Sequence, residues 1–133
     1  MFKDKKFNIY FITTSIIIFT ISVIRSLKTG ITFDEALTYL NFVLNPEADN
    51  VDFMANNHLL NTYLIKFLTF LTGIKYNEFL IRIPSLIFYI VYIIYTYRLS
   101  HLYKNKYFIS SLLLFNYVIN EFASLARGYM MAS

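Results

Sequence analysis

The sequence predicts an all-α integral membrane protein, with about three transmembrane helices and two amphipathic juxtamembrane helices in the first external loop. Three observations predict it. Hydrophobic residues make up 57% of the 133 and charged residues 15%, with a mean hydropathy of +0.51, where a soluble domain holds roughly 45–50% apolar and about 25% charged. A body this small leaves a large share of its surface exposed, so that much apolar area calls for lipid as the solvent. Second, the basic residues gather in short clusters at the ends of apolar runs, the pattern of membrane topology signals. Third, the runs themselves have bilayer length.

Residues 7–24 hold 18 positions without a charge, between Lys6 and Arg25, and at ~1.5 Å per residue they reach about 27 Å. The first span is therefore placed at 7–25. Lys3, Lys5 and Lys6 before it favour a cytoplasmic N-terminus, with Arg25 and Lys28 pulling the other way. The length of the run and the lack of a small-residue cleavage pattern argue against a signal peptide. Thr32 and Glu35 then form a T-x-x-E capping box, with Asp34 and Glu35 in the first turn near the positive helix end. Ala36, Leu37, Leu40, Val43 and Leu44 follow on one face, and the helix stops before Pro46. Residues 45–57 read as a loop with Glu47, Asp49 and Asp52.

Asn57 can cap a second amphipathic helix, with Leu60, Leu64, Phe67 and Leu71 on one stripe and His58, Thr62, Lys66 and Thr69 on the other. Lys66 near its middle and a short reach to Gly73 make it an interfacial helix rather than a spanning one. The external loop with its interfacial helices thus covers 32–73. A second span is placed at 79–100, with Arg82 snorkelling from its first turn to the headgroups and Pro84 close enough to the start to be tolerated. Arg98, His101, Lys104 and Lys106 form the densest basic cluster, which the positive-inside rule puts in the cytoplasm. A third span, 107–126, then runs outward with Glu121 near the boundary. With three crossings, the interval from Thr32 to His58 shares the outer face with Glu121 and Arg127; a fourth crossing through 58–73 would put the basic cluster outside. At Ser133 the helical pattern is still running, so the expectation is a chain that continues further.

Several residues carry candidate chemistry. Asp34 offers a general base at a membrane face, with Glu35 beside it; equally, both acids suit a helix start through the dipole alone. Asn57 and His58 stand at a helix N-terminus, an end that binds anions, or they are ordinary capping and interfacial residues. Glu121 and Arg127 lie at the end of a span, where ionisable groups tend to mark function. Asn116, Asn120 and Arg127 share a helical face, so Arg127 either reaches a phosphate with polar support or anchors a helix end. No second histidine falls at ligand spacing, and no metal site is assigned. Without cysteine there is no disulfide framework, thiolate zinc site or cysteine nucleophile. There is no glycine-rich phosphate loop and no G-x-S-x-G, and the net charge of +4 is scattered rather than striped, which argues against nucleic acid.

In order, the chain has an uncharged span, FDEA at 33–36, NNHLLNTYL at 56–64, GIKYNEFLIRIPSL at 73–86, a basic turn and NEFASLARGY at 120–129. That order resembles the N-terminal part of the C-type membrane glycosyltransferases, and more narrowly the bacterial relatives of dolichyl-phosphate-mannose protein mannosyltransferases and lipid A aminoarabinose transferases. Those enzymes are several times longer, so the resemblance implies an N-terminal portion. It implies transfer of a sugar from a polyprenyl-phosphate donor to an acceptor hydroxyl, at the extracytoplasmic face of the cytoplasmic membrane. Asp34 would then be the catalytic base and Glu35 its neighbour in the site. Asn57 and His58 would open a juxtamembrane helix near the lipid phosphate, with Arg127 as a phosphate contact. Glu121, on the outer face in the three-crossing topology, is counted with the substrate-binding residues by its place at a span end. Partners are the donor and membrane lipid. A divalent metal is allowed, its family ligands coming from later segments. Leu59 stands where many relatives carry proline. A non-catalytic small membrane protein that docks to a partner remains the alternative, and a piece of a transporter a more distant one.

Overall fold

The computed structural model describes residues 4–44, 59–74 and 77–125, and every regular element among them is helical. Helix α1 spans Lys5–Lys28, 24 residues, and starts at Asp4, whose carboxylate accepts a hydrogen bond from the Phe7 N–H at 3.1 Å. It exceeds the charge-free run at both ends because lysine and arginine stems continue an apolar surface while their heads reach water. Helix α4, Glu78–Ser100, is capped by the Asn77 side chain, which accepts from the N–H groups of Phe79 and Leu80. It runs antiparallel to α1: the Tyr97 hydroxyl donates to Asn8 Oδ1 at 2.9 Å near one end, and Arg82 meets the last turn of α1 at the other. Helix α5, Lys106–Leu114, returns beside α1, where the Tyr10 and Ser111 hydroxyls are 2.6 Å apart.

The expected continuous span over 107–126 is not one helix. The chain breaks at Phe115 and Asn116, and α6, Tyr117–Ala123, starts afresh with Asn116 accepting from the N–H groups of Val118 and Ile119 at 3.1 and 3.3 Å. An asparagine that offers the backbone this alternative partner favours a cap over a helix interior. Among the described residues, α1 and α4 are the two helices long and apolar enough to cross a membrane.

The three-column bundle is apolar outside. Ile9, Ile12, Ile16, Ile17, Ile21, Ile24 and Leu27 of α1 are exposed, while Ser15, Ser22 and Ser26 are buried and Ser85 of α4 is fully buried. Small side chains allow close approach of helices, and here they take the inner positions that leucine fills in water-soluble bundles. Between the columns lies a core of Phe7, Phe11, Ile18, Tyr89, Leu114 and Ala123.

At the end of the bundle where α1 finishes, α2 (Phe33–Leu37) forms and widens directly into a π-helical segment over Thr38–Leu44. Within it Tyr39 is buried, in a second core with Ile65 and Ile81. Helix α3, Leu59–Thr72, supplies Ile65 and ends at Gly73, whose φ of +66° is the left-handed conformation that favours glycine after a helix. Leu60, Tyr63, Phe67, Phe70 and Leu71 of α3 point away from the protein, and Asn61 and Thr62 point into it.

Candidate functional site

The Thr32 and Glu35 spacing yields the capping box it predicts. Glu35 Oε2 accepts from the Thr32 N–H at 2.8 Å, and the Glu35 N–H donates to Thr32 Oγ1 at 3.4 Å. Glu35 is also buried, at 1% exposure, because its carboxylate turns inward onto Arg82, which is 0% exposed. Arg82 Nε donates to Oε1 and Nη2 to Oε2, both at 2.8 Å, a bidentate pair. The rest of the guanidinium reaches α1: Nη1 donates to the Ser26 and Thr29 carbonyls at 2.7 Å each, and Nη2 to the Gly30 carbonyl at 3.1 Å. All five N–H donors of an arginine are thereby used. The last carbonyls of a helix lack partners within it and carry its negative dipole end, so a cation is well placed there. One side chain thus joins the end of α1, the start of α2 and the start of α4.

This overturns the expectation that Arg82 snorkels to the headgroups. Its position seven residues before Tyr89 on the inward face of α4 sends it into the bundle, and the Glu35 carboxylate compensates its charge there.

Beside this buried pair, Asp34 and Phe33 are exposed on the first turn of α2, Phe33 at 78%. The anchored Glu35 backbone holds the adjacent Asp34 at the surface of the same end of the bundle. Glu121 is brought to that end too: Arg25, one residue before Ser26, donates from Nη2 to Glu121 Oε2 at 2.5 Å, and both side chains remain partly exposed. Among the described residues, this end thus carries the sealed Arg82–Glu35 pair and the more open Arg25–Glu121 pair, with Asp34 on its surface.

The polar face expected from Asn116 and Asn120 turns elsewhere. Asn116 is occupied as the α6 cap, and Asn120 accepts from the Tyr89 hydroxyl while its amide donates to the Leu114 carbonyl at 2.9 Å. These two residues stabilise the break between α5 and α6. Asn57, His58 and Arg127, three of the expected substrate-binding residues, lie outside the described residues, as does the loop acid Asp52. Among the described residues no three His, Cys, Asp or Glu side chains are grouped to hold a metal ion. Sequence reasoning missed the pairing of Glu35 with Arg82 and of Arg25 with Glu121. Each joins residues far apart in the chain, and the only signal was that all four stand at the ends of apolar runs.

No protein-family model, curated protein or solved structure matches this chain.

Proposed function

We propose that the chain is the N-terminal portion of a C-type membrane glycosyltransferase, which moves a sugar from a polyprenyl-phosphate donor to an acceptor hydroxyl with Asp34 as the base. One observation carries the reading: an exposed carboxylate is fixed at the end of two bilayer-length helices by a fully buried arginine–glutamate anchor. The outward isoleucines and inward serines of α1 suit lipid on the outside, and α5 with α6 makes a third, broken crossing. The apolar outer face of α3 then lies in the membrane interface. With the N-terminus in the cytoplasm, Asp34 and Glu121 come to the extracytoplasmic side.

In this mechanism Asp34 takes the proton of the acceptor hydroxyl as its oxygen attacks the anomeric carbon. The bond from that carbon to the phosphate oxygen breaks, and polyprenyl phosphate leaves with the electron pair, inverting the sugar centre. Glu35, filled by Arg82 and Thr32, positions Asp34 and leaves the proton transfer to it. His58, Asn57 and Arg127 are assigned to the donor phosphate on the resemblance alone, and Glu121 is assigned to the substrate side. Membranes containing the full reading frame test this with radiolabelled polyprenyl-phosphate sugars. Asp34→Asn is expected to lower transfer by about 10²–10⁴-fold, the usual contribution of a positioned base, with unchanged protein level. Undiminished transfer, or no transfer by the wild type with any such donor, sinks the reading and leaves a non-catalytic membrane subunit.

A further inference from the structure

The charge of the described residues is divided unevenly between the two ends of the bundle. At the end holding Asp34, the basic Arg25, Lys28, Lys66 and Arg82 face the acidic Asp34, Glu35, Glu78 and Glu121, four against four. At the opposite end, antiparallel packing brings the start of α1 beside the end of α4 and the start of α5, so Lys5, Lys6, Arg98, Lys104 and Lys106 meet a single acid, Asp4. Lys106 is tied to Asp4 and lies over the Phe7 ring at 5.2 Å. Lys5, Lys6, Arg98 and Lys104 are exposed. Arg98 sits over Tyr95, and the His101 ring stands against Phe7 and Tyr97 at 5.0 and 4.6 Å. A belt of tyrosines thus adjoins the cations where the apolar helices end.

We infer that this basic end docks on anionic phospholipid headgroups, binding them in preference to zwitterionic ones. The inference rests on the membrane reading and is independent of any transferase activity. The cations surround helix ends whose flanks are apolar, so the anion they meet must itself border hydrocarbon. A lipid phosphate does so, and a nucleic acid does not. A basic side chain close to an anionic surface favours it by up to roughly fivefold at physiological ionic strength, so four exposed cations make a preference large enough to measure.

The test is electron spin resonance of vesicles holding the purified full chain, with spin-labelled phosphatidylglycerol and phosphatidylcholine compared as the protein-bound component. The wild type is expected to select phosphatidylglycerol several-fold, less so at high salt. Arg98→Gln with Lys104→Gln is expected to bring that ratio close to one, while Lys28→Gln with Lys66→Gln changes it less than about twofold. A wild-type ratio of one, an unaltered ratio in the first variant, or an equal fall in the second overturns the inference. Tighter binding of a single-stranded oligonucleotide than of phosphatidylglycerol micelles by the detergent-solubilised chain also overturns it. No bound component with either lipid would instead defeat the membrane reading itself.

Discussion

The two ends of the bundle each tie distant segments with a cation and a carboxylate, yet the ties differ in kind. Arg82 and Glu35 are sealed from solvent, bidentate, and bonded further to three carbonyls and a backbone N–H. Lys106 and Asp4 are partly exposed, joined through one oxygen and helped by the Phe7 N–H. Buried, a charge has no water to fall back on, so geometry must satisfy every donor; exposed, solvent competes and the same chemistry constrains little. The difference teaches where the fold is specified. The Asp34 end is locked in one arrangement, whereas the basic end keeps its cations available.

The sharpest way to break that contrast is Arg82→Met. Leaving the Glu35 carboxylate buried with its main cation gone is expected to cost about 3–5 kcal/mol, a large part of a typical folding free energy of about 5–15 kcal/mol. Denaturation of the purified chain in detergent, followed by circular dichroism, reads it. The double variant Arg82→Met with Glu35→Gln is expected to be more stable than Arg82→Met alone, since no unpaired charge remains. If the single variant unfolds like the wild type, the pair does not lock this end of the bundle.

Between these extremes lies the pair at the open side of the site. Glu121→Gln removes a charge that is partly exposed and keeps an acceptor for Arg25, so the expected cost is only about 0.5–1 kcal/mol, measured in the same assay. A loss as large as that of Arg82→Met would mean that this pair too is effectively buried, as it would be if lipid covers it.

These pairs also mark how far the sequence could be read. The long apolar helices α1 and α4 were legible because a run of apolar residues is a local signal, and so was the capping box, whose partners are three residues apart. The break at Asn116 was not, because an asparagine inside an apolar run carries no periodic signal and its capping role depends on the extended backbone it adopts. Arg82 was read from its distance to the helix start, which suits a snorkelling residue; its inward direction follows from packing against α1. For the site, Asp34 keeps the exposure that a base needs, while Glu35 beside it has none. Adjacent residues on a helix point about 100° apart, so a dyad in sequence becomes one surface group and one anchor.

The smallest effect belongs to the basic end. The Lys106 ammonium, and then the Phe7 N–H, hold the Asp4 carboxyl below its ordinary value of 3.8. A carboxylate whose folded value is depressed stabilises the fold fully above the ordinary value and loses that contribution as the pH falls through the lowered one. The Asp4 tie is therefore intact at neutral pH and released only in strong acid. Carbon-13 titration of Asp4 in micelles is expected to give a midpoint below 3.8, and Lys106→Gln should move it upward toward that value. A midpoint that stays put in the variant would assign the shift to the helix N-terminus instead. The Lys106 ammonium would then be free to join the other cations at this end.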